Sequence, residues 1–276
     1  MLAAFGEAGL RGWGAFFAAL ALAPLPAVGQ PSGVAPGQER RTCEVRTDRI
    51  REVTPQGDLV LESGGPAKLS GLRLAEDEAW RKAAVAWLRV QAGKPVVIEG
   101  RSDRDRWSRL TVAARLAEPS TPLDLGEGLV AAGLAMADPS AGAPLCRSDL
   151  LAAEEKARRL SLGLWKDDRY KPIHAEHMDR LRTRIGSFVL VEGRIRSIGE
   201  RSQRIYLNFG EHWAEDFTIV IPRRTWILMR GRGLDAAALR GRRIRARGIL
   251  EPWQGAALTL VIPEMIERLA GEGLPR

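Results

Sequence analysis

Asp58, Lys68, Glu76 and Arg109 are the side chains around which chemistry can be argued. Asp58 sits in Gln56-Gly57-Asp58-Leu59-Val60, a hairpin step that leads into an apolar run. Lys68 opens Lys68-Leu69-Ser70-Gly71-Leu72-Arg73-Leu74-Ala75-Glu76, which ends in a carboxylate where a helical pattern begins. A helix dipole favours a carboxylate there whatever its use. Arg109 closes Asp105-Arg106-Trp107-Ser108-Arg109-Leu110, a tight turn with basic flanks before a strand. Carboxylates give oxygen ligands to a hard cation such as calcium, or orient and deprotonate a water. Cationic side chains clamp a phosphate and offset charge that builds up as it reacts. Each residue also has a plain structural use, so the chemistry requires that one fold bring them together.

Short strands are expected at 43–53, 58–62 and 67–74, separated by turns at Pro55-Gln56-Gly57 and Ser63-Gly64-Gly65. Residues 76–91 have helical spacing, with Trp80, Ala84, Trp87 and Leu88 on one side and Gly93 after the end. Further strands follow at 95–100 and 110–116, then helices at 125–132 and 148–162. Five strands with a helix between the third and fourth is the order of an OB-fold barrel. A polar connector with Pro172 follows, then a short helix over 176–185. A second set of strands is expected at 188–198, 204–209, 216–221, 242–250 and 257–262, again with a helical piece after the third. The fold class is therefore mainly β with helices: two OB-fold-like five-stranded barrels, the first with added C-terminal helices.

The region of the second set of strands, residues 178–270, is rich in arginine and has no lysine. Arg243, Arg245 and Arg247 alternate and share one strand face. Tyr206, Phe209, Trp213 and Phe217 lie nearby in sequence. Arginines with aromatics suit a single-strand nucleic-acid surface, by backbone contact and base stacking. The rival reading is a solvated strand face beside core aromatics.

The 276 residues carry a net charge of +8, a balance that suits a polyanionic partner. With 3 histidines and 2 cysteines there is little room for a zinc site. Residues 1–29 read as a signal peptide, with an apolar run from Trp13 to Leu22, breaking prolines at 24 and 26, and small residues Ala27-Val28-Gly29. No later stretch is long enough to span a membrane. Residues 30–41 read as a flexible N-terminus. Export to the periplasm or the exterior favours a disulfide between Cys43 and Cys146.

The stretch from Asp105 to Trp165 adds a family resemblance. It contains the turn ending in Arg109, then Gly128-Leu129-Val130-Ala131-Ala132-Gly133-Leu134-Ala135, Ala153-Glu154-Glu155-Lys156-Ala157-Arg158-Arg159 and Leu162-Gly163-Leu164-Trp165. This order resembles the second half of the staphylococcal nuclease (thermonuclease-like) family, which cleaves phosphodiesters with calcium. The resemblance spans residues 42–168, with 169–177 as a linker and a second OB-like domain at 178–270. It implies that Arg109 clamps phosphate, although Ser108 replaces the family's glycine. It puts Glu76 in the water-activating slot, Lys68 in an arginine slot and Asp58 in an early metal-ligand slot. Lysine there loses the bidentate fork. Arg73 stands where a metal-binding aspartate is expected, and Ala75 replaces a proline. Lys68, Glu76 and Arg109 are expected to converge on one cleft, with Asp58 at its edge and Arg73 in or beside it.

Three functions follow as expectations. The leading one is an exported nuclease-like protein that binds nucleic acid or phosphodiesters, single strands favoured, with partly degenerate catalytic machinery and a weakly held calcium ion. The second is an active calcium-dependent endonuclease or phosphodiesterase. The third is a non-catalytic interaction module of the cell envelope.

Overall fold

The structure is a computed structural model that describes residues 43–117, 122–141, 150–212 and 215–269. The first half opens with strands β1 (Glu44–Val53), β2 (Leu59–Leu61), β3 (Pro66–Leu69) and β4 (Leu72–Leu74). Helix α1 (Glu78–Arg89) follows, then β5 (Pro95–Arg104) and β6 (Leu110–Leu116). Helix α2 (Leu125–Ala131), strand β7 (Ala135–Ala137), helix α3 (Leu151–Arg159) and a 3-10 turn (Gly163–Lys166) complete it. Strands β1-β2-β3-β6-β5 form a closed barrel, with β3 and β6 parallel and the other pairs antiparallel. Its order is consistent with the expected OB-like fold.

Alternation along these strands buries Ile50, Leu59, Leu61, Val96, Ile98 and Val112, and α1 adds Ala84, Val85 and Leu88 to the same core. Asp77 caps α1, accepting from the backbone N–H groups of Ala79 and Trp80. The helix therefore starts at Glu78 rather than Glu76.

The strand expected over 67–74 is broken. Gly71 takes a left-handed φ of 69°, which glycine adopts without steric cost. Its N–H donates to Ala141 O at 2.6 Å and its carbonyl accepts from Asp138 N at 2.8 Å. The chain thus leaves the barrel after β3, and β4 pairs with β7 instead.

Gly133 and Gly163 explain two of the family-like motifs physically. Both have positive φ, and Leu164 N donates to Gly133 O at 2.8 Å. A Cβ at Gly163 would meet Gly133 O at 2.1 Å, and one at Gly133 would meet Leu162 O at 2.2 Å. Only paired glycines let these backbones touch.

The second half contains β8 (Ile173–His174), α4 (Met178–Arg182), β9 (Phe188–Arg194), β10 (Ser197–Glu200), β11 (Arg204–Asn208) and β12 (Phe217–Pro222). It continues with α5 (Arg223–Gly231), α6 (Ala236–Leu239), β13 (Arg243–Trp253), β14 (Gly255–Thr259), a second 3-10 turn (Pro263–Met265) and β15 (Ile266–Arg268). These strands make one sheet in the order β10-β11-β12-β14-β13-β9-β8, with β15 also on β13. Its core is its own, from Ile173 to Ile266. The strand expected over 188–198 is divided at Ile195, which is buried; β9 pairs with β13 and β10 with β11. Residues 169–177, expected as a linker, supply Ile173 and Ala175 to this core, and β8 pairs in parallel with β9.

A smaller apolar cluster joins the halves: Met136, Ala157, Trp165 and Tyr170 pack with Phe188 and Leu190. No helix among the described residues is long and apolar enough to cross a membrane. The expected signal peptide and flexible N-terminus at 1–41, and Cys146 of the expected disulfide with Cys43, lie outside the described residues.

Candidate functional site

The turn between β5 and β6 is built to hold Arg109. Asp105 N donates to Arg109 O at 2.9 Å and Ser108 N to Asp105 O at 2.8 Å. Ser108 adopts a φ of 60°, the left-handed conformation that the family's glycine would take freely. Asp105 accepts from Arg109 Nε at 2.9 Å and from its Nη2 at 2.8 Å. Trp107 lies beneath two guanidiniums, Arg106 at 3.9 Å and Arg109 at 4.8 Å from the ring centroid. Arg109 is thus fixed along one edge, leaving Nη1 to reach across to Asp58 at 3.3 Å.

Asp58 follows Gly57, whose φ is 88° and whose absent Cβ would sit 2.5 Å from Leu74 Cδ1. The hairpin is closed by Thr54 N donating to Asp58 O at 2.9 Å and Asp58 N donating to Thr54 Oγ1 at 3.1 Å. Lys68 enters from β3, opposite Thr111 of β6. Asp58, Lys68, Arg73 and Arg109 line one cleft of about 130 Å³, with Leu72 and Leu88 among its apolar walls. Arg73 comes from β4. Its Nε donates to Asp138 Oδ2 at 3.0 Å, and its Nη2 lies 2.9 Å from the same oxygen.

Asp138 is the member of the site that the sequence did not reveal. Its side chain is 1% exposed and also accepts from the Ser140 hydroxyl at 2.5 Å. In sequence, Asp138-Pro139-Ser140 reads only as a turn; its pairing with Arg73 depends on β4 meeting β7. Glu76 is the member that the structure moves away. It is exposed and lines the neighbouring depression with Arg81 and Lys82, sharing only Gln56 and Leu74 with the cleft. Asp77 takes the helix cap, which leaves Glu76 outside the helix.

Burial pushes the Lys68 ammonium below the usual lysine value, helped by Arg109 and Arg73 and opposed by Asp138 and Asp58. Arg109 shifts the other way: partial burial is outweighed by its bonds to Asp105 and Asp58, which hold its pKa above the usual value. Lys68, Arg73 and Arg109 are matched in number by Asp58, Asp105 and Asp138, but Asp105 grips Arg109 from outside and Asp138 holds Arg73 from behind, so the cleft lining itself presents three cations and one carboxylate. Both Asp58 and Asp138 already hold a guanidinium, and no grouping of three or more His, Cys, Asp or Glu placed to hold a metal ion occurs among the described residues. This donor set fits an anion and does not fit calcium, which requires several free oxygens.

The three arginines of β13 do share a face, as expected, but that face is closed to solvent at Arg245 and Arg247 and open only at Arg243. Arg247 and Glu154 of α3 are each 1% exposed and bonded at 2.7 Å, and Arg247 also donates to Ala137 O at 2.9 Å and to Glu267. Arg245 bonds to Glu155 at 2.8 Å and Glu192 at 2.7 Å. Arg243 is 43% exposed and reaches Glu192 at 3.3 Å. With Arg158 on Glu155, these guanidiniums balance Glu154, Glu155, Glu192 and Glu267. The cluster ties β13 to α3; it is a joint rather than a nucleic-acid surface. Phe209 is likewise a core residue, packed on Phe217 at 5.1 Å between centroids. Tyr206 lines an open groove, the one expected aromatic among the described residues to do so; Trp213 lies outside the described residues.

No protein-family model matches the chain, and no curated protein matches it in sequence.

Proposed function

We propose that this chain is a nuclease-like protein of the cell exterior or periplasm that holds a phosphodiester at the mouth of its first barrel and cleaves it slowly or not at all. The observation that carries this reading is the convergence of Lys68, Arg73 and Arg109 on one small, partly apolar cleft. A phosphate there displaces the long Asp58 contact of Arg109 Nη1, while Asp105 keeps the guanidinium oriented. Lys68 adds a point charge whose desolvation is offset once an anion is bound. The weakness in catalysis comes from the same residues. Arg73 occupies Asp138, Arg109 holds Asp58, and Glu76 lies in the next depression.

The resemblance to the staphylococcal nuclease family supports this reading in the order of its motifs and in the left-handed residue before Arg109. The second sheet fits an OB-like barrel too. β9 and β10 are successive in the chain with two residues between them, and they stand near the two ends of the sheet order. β12 runs parallel to β14 as β3 runs parallel to β6. Export, and a Cys43–Cys146 disulfide, belong to the same proposal, and an intact mass before and after reduction tests the bridge.

The function is tested with a fluorescent oligothymidylate. Binding is expected to weaken with salt, with a slope of log affinity on log salt of about −0.7 for the one phosphate on which the three cations converge. Lys68→Met should weaken it roughly tenfold, and calcium should add little. Binding unchanged by Lys68→Met, or rapid calcium-dependent cleavage, overturns the reading.

A further inference from the structure

The second sheet carries a groove that the phosphate cleft does not use. Its volume is about 440 Å³, within the range of roughly 300–1,000 Å³ usual for small-molecule sites. The floor is the outer face of β10, β11 and β12. Register puts Ser197, Asn208 and Thr218 side by side in one row. Asn208 Nδ2 donates to Ser197 Oγ at 3.0 Å, and the Thr218 hydroxyl lies 3.5 Å from Asn208 Oδ1. The next row holds Tyr206 beside Gly199. Only Tyr206 Cβ, at 4.0 Å, lies near the point where Gly199 would carry a side chain. The missing side chain therefore leaves the flank of the tyrosine open.

The rim is aromatic and amide. Trp253, 42% exposed, and Gln254 come from the turn between β13 and β14. Gln254 adopts a φ of 54°. A non-glycine residue there costs about 1–2 kcal/mol, so this turn presents an amide where glycine would be easier. The ionised groups among the described lining residues are Arg201 and Glu211; Glu211 is bonded to Arg196, and the Arg204 guanidinium stands 5.8 Å over the Trp253 ring, leaving the ring's other face to a ligand. A groove for single-stranded nucleic acid needs cations to follow the backbone. Here the lining is close to neutral, and its polar contacts are hydroxyls and amides.

A ring with an apolar C–H face and a hydroxylated edge meets both demands. The face packs on an aromatic side chain, and the hydroxyls exchange hydrogen bonds with amides that both donate and accept. We propose that this groove binds a neutral oligosaccharide, with about two sugar rings held between Tyr206 and Trp253 and their hydroxyls read by Asn208, Ser197 and Gln254. The site is independent of the phosphate cleft, which lies in the first barrel.

The test titrates the full chain, by calorimetry, with tetramers of β1,4-linked glucose, α1,4-linked glucose and β1,4-linked N-acetylglucosamine. Saturable binding to at least one tetramer is expected, insensitive to salt and unaffected by Lys68→Met in the cleft. Trp253→Ala and Asn208→Ala should each weaken it by roughly tenfold or more. Trp253 is half in solvent, so its variant keeps the fold; an unchanged melting temperature confirms this, and Trp253→Phe, which retains a ring, should bind at intermediate strength. Failure of all three tetramers to bind overturns the proposal, as does binding that Trp253→Ala leaves intact. Competition by a short oligothymidylate, with a steep salt dependence lost in Trp253→Ala, overturns it in favour of nucleic acid.

Discussion

Glu154→Gln is expected to destabilise the protein by about 3 kcal/mol, the low end of the cost of removing one partner from a buried ion pair. The structure sets that choice. Glu154 Oε2 accepts from Arg247 at 2.7 Å and its Oε1 accepts from Ala137 N at 2.8 Å, all three groups buried. The glutamine retains the second bond and loses the first, presenting an N–H to a guanidinium. Arg247 keeps Ala137 O and Glu267, so its charge is weakened rather than orphaned. For a unit of this size, about 3 kcal/mol lowers the melting temperature by roughly 6–12 °C. Arg243→Ala is the control. Its partner bond is long and it is 43% exposed, so about 0–1 kcal/mol is expected. Urea unfolding followed by near-ultraviolet circular dichroism reads both. If Glu154→Gln costs no more than Arg243→Ala, the joint between α3 and β13 does not carry the stability argued for it.

Replacing Ser108 with glycine should stabilise the protein by about 1 kcal/mol, because the left-handed φ then carries no Cβ penalty; a loss of stability in thermal melts would show that the hydroxyl matters more. Arg73→Asp leaves buried Asp138 facing a second carboxylate. The variant should melt lower than the parent and recover on adding calcium, and a melting temperature indifferent to calcium would refute the placement. Lys68 has a lowered pKa in the fold, so its burial cost is fully present below that value and is relieved as pH rises toward 10.5. Oligothymidylate affinity should accordingly fall with rising pH through the range below 10.5, and Lys68→Arg should flatten the profile; equal profiles would exclude Lys68 as the titrating contact.

The first barrel was legible because β3, β5 and β6 alternate against one core and the turns before β2 and β3 carry glycine. Strands β4, β7, β8 and β15 were not. Each is two or three residues long, and tertiary pairing rather than local pattern makes it a strand. The apolar positions change phase at Gly71, from Ala67 and Leu69 to Leu72 and Leu74, and that slip is the local mark of the exit from the barrel that a single strand over 67–74 passes over. Asp58, Lys68 and Arg109 could be placed because the motif order encodes the barrel order. Asp138 could not, since its partner Arg73 is 65 residues earlier. The β13 arginines show the limit of periodicity. Alternation established that they share a face, but the glutamates that meet that face lie about 90 residues away on α3.

The backbone of Ala137 is bonded on both sides. Its N–H is held by Glu154 and its carbonyl by Arg247, while the next residue, Asp138, anchors Arg73 at the cleft of the first barrel. A single peptide segment is therefore clamped by a glutamate of the first half and an arginine of the second, and it positions a cation of the first half's cleft. Cutting the chain after Lys166 would not free an intact first barrel: it would strip Arg247 from Ala137 and leave Glu154 as a lone buried anion, one residue from the cleft wall. The proteolytic boundary that separates two working halves, if one exists, does not run through the connector.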